Sequence, residues 1–357
     1  MKVALAGAGI IGALCALQLR AAGVDVVLYD DAEHTPPASW AGGGILSPLF
    51  PWRHTDALNR LCGHALDDYR KLAGEIVAAG GVDPEVDQTG MLVIDEPQPE
   101  QALAWSQRLG RHIEMRQHQG RPYLWMPDVG SVRNSRLLKG LRTLLAARGI
   151  EAFPRRLSAF VEAGAHIELQ FSDGSVAHAD KLVISAGWQS SVLLAGHPLA
   201  SMFFPAKGQM LLLRMRPGAI PGILLTEGAY LIPRRDGLVL LGSTLEPGRD
   251  DLSVTTDARN FLLEKAARLL PGIMDVPVVA HWAGVRPGCH RDTPVIGPVA
   301  PGSKVWLCTG HYRNGLVAAP ASASLLATMI TGGTPGLDSR PYSVSSSLSS
   351  PASSESF

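Results

Sequence analysis

The sequence has no excess of charge of either sign, since 32 lysines and arginines are matched by 32 aspartates and glutamates. This balance gives no reason to expect nucleic acid or an anionic membrane as a partner. Cysteine is also scarce, and the four residues, Cys15, Cys62, Cys289 and Cys308, show neither metal-ligand nor redox spacing. So few cysteines exclude a disulfide-based scaffold and favour a reducing, cytoplasmic environment.

Long unbroken apolar runs are missing as well. The uncharged stretch 314–337 contains Pro320 and several serine, threonine and glycine residues, so it is a poor membrane span. A second uncharged stretch, 3–19, follows Lys2 and is compatible with a signal peptide. The spacing of its glycines has a better explanation, and we expect no membrane span. With 46% hydrophobic residues, a chain of 357 residues can bury a sizeable core and is long enough for two domains.

The N-terminal segment has the pattern of a β-turn-α-β unit. Residues 2–6 predict a buried strand, 13–22 predict a helix that ends at Gly23, and 24–29 predict a second strand. The spacing Gly-x-Gly-x-x-Gly occupies 7–12, between the first strand and the helix. Such a turn binds the pyrophosphate of a dinucleotide at a helix N-terminus, where free N–H groups and the positive end of the helix dipole face the ligand.

Each glycine of this turn has its own role. Gly7 permits the tight turn, Gly9 lets the backbone approach a pyrophosphate, and Gly12 lets the helix pack closely on the strand. Asp30 ends the second strand, eighteen residues after Gly12, where a carboxylate can bind a ribose hydroxyl. This acid favours FAD or NAD rather than NADP. A second glycine-rich stretch, 38–46, suits backbone contact with a flat cofactor, although a plain flexible loop would have the same composition.

These segments, together with four others, resemble the D-amino-acid-oxidase-like flavoproteins, and in particular the glycine oxidases of the thiamine pathway. The additional segments are 184–188, 230–234, 282–288 and 310–315, and the similarity extends over about residues 1–335. The resemblance implies that the cofactor is FAD. Because Cys289 does not match the position at which some sarcosine oxidases attach their flavin, we predict that the FAD is non-covalent.

Segments typical of dinucleotide-binding domains occur at the start, in the middle and at the end of the chain, with strand-rich segments between them. We therefore predict an α/β fold, an α+β two-domain flavoprotein in which a Rossmann-type FAD-binding domain is interleaved with a mixed-sheet substrate domain. The predicted FAD-binding domain comprises 1–78, 132–202 and 278–338, and the predicted substrate domain comprises 79–131 and 203–277. The serine-rich tail, 343–357, is predicted to be disordered.

The resemblance also assigns contacts with FAD. The contacts cover the pyrophosphate turn, the ribose, the loop beneath the flavin, a backbone contact at the adenine end, and a C-terminal segment around the pyrimidine edge. We expect the last helix to direct its N-terminal N–H groups at the negative charge of the reduced flavin. The predicted cofactor-binding residues are Gly7, Gly9, Ile10, Ile11, Gly12, Asp30, Asp31, Ala38, Ser39, Gly43, Gly44, Ile45, Val161, Gly187, His311, Tyr312, Arg313, Asn314, Gly315, Leu316 and Val317.

Oxidation of an amino acid requires a cation that holds the carboxylate close to the flavin. Arg286 directly precedes a proline at the end of a predicted strand, and a guanidinium can bind a carboxylate through two hydrogen bonds. The resemblance assigns Arg286, Tyr230 and Arg313 to substrate binding. It also places Leu245 in the pocket, where glycine oxidases carry methionine, and a branched side chain at this position bears on which amines fit. No acid–base pair is predicted, because the family transfers the α-hydrogen as hydride to flavin N5.

The predicted activity is FAD-dependent oxidation of glycine, or of another small amine or D-amino acid, to an imine that hydrolyses to a 2-oxo acid and ammonia. O2 is the expected acceptor and gives H2O2, and by the same resemblance the imine can supply the thiazole of thiamine. The alternatives are a D-amino-acid dehydrogenase or a sarcosine or N-alkylglycine oxidase, an NAD-dependent dehydrogenase, and a catalytically inert FAD-binding protein. We expect a homo-oligomer. We predict no metal site, because His281, His290 and His311 fit no metal-ligand spacing.

Overall fold

The structure is a computed structural model that describes residues 1–31, 37–118 and 121–348. Within these ranges, helices alternate with strands near both ends of the chain, and strands follow one another in the middle. The strands are β1 (Lys2–Ala6), β2 (Asp25–Tyr29), β3 (Met91–Ile94), β4 (Glu114–His118), β5 (Arg121–Met126), β6 (Glu151–Phe153), β7 (Leu157–Ala163), β8 (His166–Phe171), β9 (Val176–Ala179), β10 (Lys181–Ile184), β11 (Phe203–Arg214), β12 (Ile223–Thr226), β13 (Ala229–Pro233), β14 (Leu238–Gly242), β15 (Glu246–Pro247), β16 (Val278–Cys289), β17 (Val295–Pro298) and β18 (Val305–Thr309). The α-helices are α1 (Ile10–Ala21), α2 (Ala38–Ala41), α3 (Asp56–Cys62), α4 (Ala65–Ala78), α5 (Pro99–Leu109), α6 (Asn134–Ala147), α7 (Ser190–Leu193), α8 (Thr256–Ala267) and α9 (Gly315–Ile330).

A six-stranded sheet contains the N-terminal strand β1 near its middle. β1 pairs in parallel with β2 and β10, and β18 lies parallel to β10 on the far side. One face packs with α1 and α9 in a common core, and the other packs against a three-stranded sheet of β7, β8 and β9. Burial of both faces explains why the parallel strands are almost wholly apolar. Because parallel strands end at one edge of the sheet, ligand-binding residues are expected in the crevice there.

A nine-stranded mixed sheet forms the second layer. Its main order is β15-β11-β14-β13-β12-β3-β5-β4, and β16 pairs antiparallel with β11. The predicted domain boundaries differ from this arrangement, because they put the segment from 278 onward with the FAD-binding domain. β16 instead pairs with β11 along almost its whole length, from Val278 opposite Leu213 to Cys289 opposite Phe203. The position of β16 depends on its hydrogen bonds with β11, which is distant in the sequence, and local composition does not reveal that pairing.

The last helix contains a proline. α9 begins at Gly315 and has Pro320 within its second turn. A proline inside a helix leaves the carbonyl four residues earlier without its usual N–H donor. Here that carbonyl belongs to Leu316, and it accepts a hydrogen bond of 2.8 Å from the hydroxyl of Tyr69. The buried tyrosine thus supplies the donor that proline lacks.

Part of the tail that was predicted to be disordered has structure. Residues Val344–Leu348 form a 3-10 helix. Arg291 donates hydrogen bonds of 2.9 Å to the carbonyl of Ser343 and to the hydroxyl of Ser346. The remainder of the predicted tail, 349–357, lies outside the described residues. Among the helices of the described ranges, none has the length and apolar character needed to cross a membrane.

Candidate active site

A cavity of about 830 Å³ lies between the six-stranded and nine-stranded sheets. It is lined by the crevice at the carboxyl ends of β1, β2, β10 and β18, and by residues of β11, β12, β13 and β16. It thus brings together segments that are far apart in the sequence. The predicted site residues that line it are Gly7, Gly9, Ile10, Ile11, Asp30, Asp31, Ala38, Ser39, Gly43, Gly44, Ile45, Gly187, Tyr230, Arg286, His311, Tyr312, Arg313, Gly315 and Leu316.

Five predicted site residues do not line this cavity. Gly12 lies behind the turn, and a Cβ there would be only 1.8 Å from the carbonyl oxygen of Gly7, so its role is the close packing of α1. Asn314, on the turn before α9, and Val317, on α9, are buried and do not line the cavity. The other two residues are Val161 and Leu245.

Val161 lies on β7 with half of its surface exposed, and the cavity is instead lined by Arg156, Leu157 and Ser158 at the start of that strand. Leu245 precedes β15, and Ser243, two residues earlier, lines the cavity. The contacts of Val161 with the cofactor and of Leu245 with the substrate stay predictions.

The glycine turn has the geometry expected of a pyrophosphate cradle. Gly7 adopts a φ of +100°, which side chains rarely tolerate, and its N–H donates to the carbonyl of Tyr29 at 2.7 Å. A Cβ at this position would lie 2.6 Å from the carbonyl oxygen of Ser185. Only glycine therefore fits between β1 and β10. α1 begins at Ile10, and Gly9, Ile10 and Ile11 line the cavity at the helix N-terminus, the kind of site that binds phosphate. In the structure the N–H of Ile10 donates to the hydroxyl of Ser39 at 3.0 Å.

Two acids, Asp30 and Asp31, follow β2 beside the glycine turn. Burial raises the pKa of the Asp30 carboxyl, while N–H groups of Ala8 and Asp31 lower it by donating hydrogen bonds. Arg156 approaches the Asp31 carboxylate to 3.7 Å. These residues form a polar pocket beside the glycine turn, as recognition of a ribose requires.

The second glycine-rich stretch lines the middle of the cavity. A Cβ at Gly43 would lie 3.0 Å from side-chain atoms of Tyr230 and Ile232, so any larger residue would occupy space between the two sheets. Gly44 has a φ of +90° and lies beside the carbonyl of Val132. Asn134 also lines the cavity, and its buried Oδ1 has no hydrogen-bond partner within the described part of the chain. A bare backbone surface and a buried acceptor fit a flat polar cofactor such as a flavin.

Arg286 lies at the end of the cavity formed by the nine-stranded sheet. Its Nη2 donates to the hydroxyl of Ser243 at 2.8 Å, and its Nη1 approaches the carbonyls of Lys207 and Thr244 at 3.3 and 3.4 Å. Burial lowers the pKa of this guanidinium, while the hydroxyl of Tyr230 acts in the opposite direction. No described acidic residue forms a salt bridge with it. A partly buried cation that forms no salt bridge within the described residues is suited to bind an anionic ligand.

Tyr230 and Arg313, which were also predicted to bind substrate, line the cavity at the same end as Arg286. Tyr230, on β13, is 8% exposed, and Arg313 is exposed on the turn before α9, with its guanidinium 5.7 Å from the ring of Tyr312. The charge of Arg313 further lowers the pKa of Arg286, so the two cations lie in one electrostatic environment. The structure therefore brings the three predicted residues together.

Sequence reasoning missed several residues at this end of the cavity. Ser243 holds Arg286, while Met210 and Leu225 provide apolar wall. Lys207 is fully buried next to this wall, and its ammonium group binds Asp251 at 2.6 Å. Lys207 could have been noticed in the sequence, because a lysine is unusual in an apolar strand. Nothing in the sequence next to Ser243 marks it as a partner of Arg286.

His311 and the cysteines bear on the predicted absence of a metal and of covalent flavin. His311 is buried and contacts the Ser322 hydroxyl at 3.1 Å, and burial lowers its pKa to about 3, so it is neutral. No three potential ligands come together to hold a metal in the described ranges. Cys289 is buried away from the cavity, whereas Cys308 lines it. A hydrogen bond to Cys15 and burial raise the pKa of the Cys308 thiol, which disfavours the reactive thiolate.

A dinucleotide crevice that opens onto a pocket with a buried cation defines a class of nucleotide-dependent oxidoreductases. The family model described as FAD dependent oxidoreductase (DAO) matches residues 2–329. The chain therefore belongs to the FAD-dependent oxidoreductases of this family, and FAD is its cofactor. This confirms the predicted family, fold class and cofactor.

Known relatives are similar over nearly the whole chain. The glycine oxidase of Pseudomonas putida is 41% identical, covering 96% of this chain and 97% of that protein. The bifunctional protein ThiO/ThiG of Synechocystis is 29% identical, and the match covers 92% of this chain but 51% of that protein. Among solved structures, glycine oxidase from Geobacillus kaustophilus superposes with a TM-score of 0.89 at 23% identity, covering 96% of this chain and 98% of that one. The last similarity bears on the fold alone.

Proposed function

We propose that the enzyme oxidises glycine or another small amine or D-amino acid to an imine, which water hydrolyses to a 2-oxo acid and ammonia. The observation that carries this proposal is the buried guanidinium of Arg286, which lines the cavity and lacks a described carboxylate partner. An α-carboxylate supplies the missing charge and two acceptor oxygens. The glycine oxidase of Pseudomonas putida, at 41% identity, supports the same substrate class.

The pocket residues orient the substrate. Arg286 binds the carboxylate, and Tyr230, on the neighbouring wall, donates its hydroxyl to the same group. Met210, Leu225 and Phe50 form an apolar surface around the remaining volume. Exclusion of water from such a pocket strengthens the charge pair and favours the neutral amine form of the substrate.

When bound, FAD would supply the two-electron redox chemistry, with O2 as the proposed final acceptor and H2O2 as the product. The protein's contribution is orientation and electrostatics, so no catalytic acid or base is required. The start of α9, Gly315 and Leu316, lines the cavity, and helix N-termini stabilise nearby negative charge. This placement supports the predicted role of that helix.

The cellular role is a further part of the proposal. The similarity to the bifunctional protein ThiO/ThiG supports delivery of the imine to thiazole synthesis for thiamine. Four cysteines that remain free thiols support a cytoplasmic location. Homo-oligomer formation remains a prediction, which the molar mass of the purified protein in solution would test.

The decisive experiment is a substrate panel on the purified yellow protein. Glycine, sarcosine and several D-amino acids are compared for peroxide yield in air and for reduction of an artificial dye without oxygen. We expect one equivalent of H2O2 for each glycine consumed. Dye reduction without peroxide would instead identify a dehydrogenase, and faster turnover of sarcosine would identify an N-alkylglycine oxidase. A flavin that no amine reduces would overturn the proposal.

A further inference from the structure

Three side chains hold the flavin-facing stretch 38–44 by its backbone carbonyls. Asn134 Nδ2 donates to the carbonyl of Ser39 at 2.7 Å, and Trp282 Nε1 donates to that of Ala41 at 3.1 Å. Arg234 Nη2 donates to the carbonyl of Gly43 at 2.7 Å. We call these three donors the loop clamp. The clamped carbonyls alternate along the chain, so the glycines between and beside them remain free to approach a cofactor.

Of the three clamp residues, Arg234 is the one whose placement costs the most desolvation free energy, because its side chain is charged. Burial lowers the pKa of its guanidinium to about 10, so it still carries its charge at neutral pH. It forms no salt bridge with any residue in the described ranges. Its other acceptors are the carbonyl of Val132 at 3.1 Å and the hydroxyl of Ser131 at 3.5 Å. A buried charge satisfied only by neutral oxygens is a poor source of stability, which points to a positional role.

Trp282 brings β16 directly against the same stretch. Its ring meets that of Trp40 edge-on, with 6.1 Å between the centroids. Two residues further along β16, a Cβ at Gly284 would lie 2.3 Å from the Cβ of Ala41. The strand backbone therefore has to contain glycine at this point for the loop to pack on it. The nine-stranded sheet and the flavin-facing stretch are in direct contact.

Two of the three clamp residues lie on, or directly after, strands that carry substrate-binding residues. Tyr230 lies on β13, and Arg234, four residues after Tyr230, directly follows the end of that strand. On β16 the same spacing of four separates Trp282 from Arg286. Residues four apart in a strand project from one face and are about 13 Å apart along it. Each strand thus holds the flavin-facing loop at one point and the substrate carboxylate at another.

We propose that Arg234 and Trp282 are positioning residues that set the distance between flavin and substrate by fixing the cofactor loop to the two strands that bind the carboxylate. This inference rests on the proposed oxidation of an amino acid by FAD. It predicts that loss of a clamp donor loosens the cofactor and slows hydride transfer, while the carboxylate site itself is retained.

The test compares Arg234→Met and Trp282→Phe with two matched controls. Arg235→Met removes an exposed guanidinium that binds Asp83 and Asp87, and Trp306→Phe removes a buried indole N–H that has no described acceptor. For each variant we would measure the FAD dissociation constant of the apoprotein, its thermal midpoint without FAD, the dissociation constant of acetate, and the rate of anaerobic flavin reduction by saturating glycine.

We expect Arg234→Met to raise the FAD dissociation constant and to slow flavin reduction, each by about 10- to 100-fold, the scale of a hydrogen bond from a charged donor. Trp282→Phe, which removes a single neutral donor, should act in the same direction by about 3- to 10-fold. Acetate binding to each holoenzyme should change by less than about threefold, since it reports the carboxylate site. Arg234→Lys should recover part of the loss.

The proposal is overturned if Arg234→Met and Trp282→Phe match their controls in FAD affinity and reduction rate. It is also overturned if they lower the apoprotein midpoint but leave both flavin measurements unchanged, because the role is then only structural. Should Arg234→Met fail to fold, Trp282→Phe still decides, since it removes one donor from a retained ring. If glycine and the other amines reduce no wild-type flavin, the proposed function fails, whereas the FAD affinities still report on the clamp.

Discussion

Replacing Arg286 with methionine should separate activity from stability. In the substrate-free protein the buried guanidinium is held only by neutral oxygens and forms no salt bridge in the described ranges, so its desolvation is incompletely offset. A bound substrate carboxylate would form a charge pair with this guanidinium. Breaking a buried charge pair by removing one partner costs about 3–5 kcal/mol, which corresponds to a fall of about 10²- to 10⁴-fold in kcat/KM.

The substrate-free fold should respond differently to the same substitution. Methionine fills much of the space without the cost of burying a charge, so the thermal midpoint should stay within about 3 °C of wild type or rise. The assay pairs kcat/KM for glycine with thermal unfolding of the holoenzyme. Arg214→Met, an exposed position at the end of β11, is the matched control and should change neither. A fall in kcat/KM of less than tenfold would refute the assignment of Arg286, and a large loss of stability would refute the argument from desolvation.

Three further substitutions test other parts of the structure. Tyr230→Phe should lower kcat/KM by about 10- to 100-fold, the scale of a hydrogen bond to a charged group, and unchanged kinetics would remove its hydroxyl from the carboxylate site. Burial lowers the pKa of His311 to about 3. Between pH 3 and about 6.5 the unfolded chain therefore binds more protons than the folded chain. The free energy of unfolding falls as the pH drops through this window, by at most about 1.4 kcal/mol per pH unit. His311→Gln should flatten this dependence in urea midpoints measured from pH 7 to 4, whereas an unaltered slope would show that other groups cause it. Tyr342→Phe removes the donor of a 2.8 Å hydrogen bond to the carbonyl of Ala57 and should lower the free energy of unfolding by about 1 kcal/mol in urea denaturation; no change would mean that this contact does not stabilise the C-terminal segment.

The sequence was sufficient for those parts of the fold where local chemistry is decisive. The turn at Gly7 and the acid Asp30 could be predicted because a tight turn and a strand end each demand particular residues. The family resemblance then placed Arg286, Tyr230 and Arg313, and the structure gathers all three at one end of the cavity. These positions lie within short motifs, so a small error in register was unlikely to displace them.

Other features depend on contacts between distant segments, which spacing in the sequence does not encode. β16 follows a helical segment yet joins the nine-stranded sheet, because it finds β11 as its partner some seventy residues earlier. The contact between Ser243 and Arg286 was not predicted, since only the folded backbone shows which residue meets this guanidinium. Ala41 and Trp282 are separated by 241 residues, and no local pattern relates them.

The two buried guanidinium groups show why burial alone does not identify a substrate-binding arginine. Arg234 and Arg286 both lack a described salt bridge, and burial lowers the pKa of each. Their surroundings differ, because Arg286 lines the cavity and Arg234 does not. The shortest hydrogen bond of Arg234 goes to the backbone at Gly43, whereas Arg286 holds a side-chain hydroxyl and approaches two carbonyls at longer distances. A guanidinium has five N–H donors, so an arginine that faces open space can add a carboxylate to its existing bonds, while an enclosed one can only fix the protein around it. Since neither charge has a salt bridge within the described residues, access to the cavity is the feature that separates the substrate-binding arginine from the positioning one.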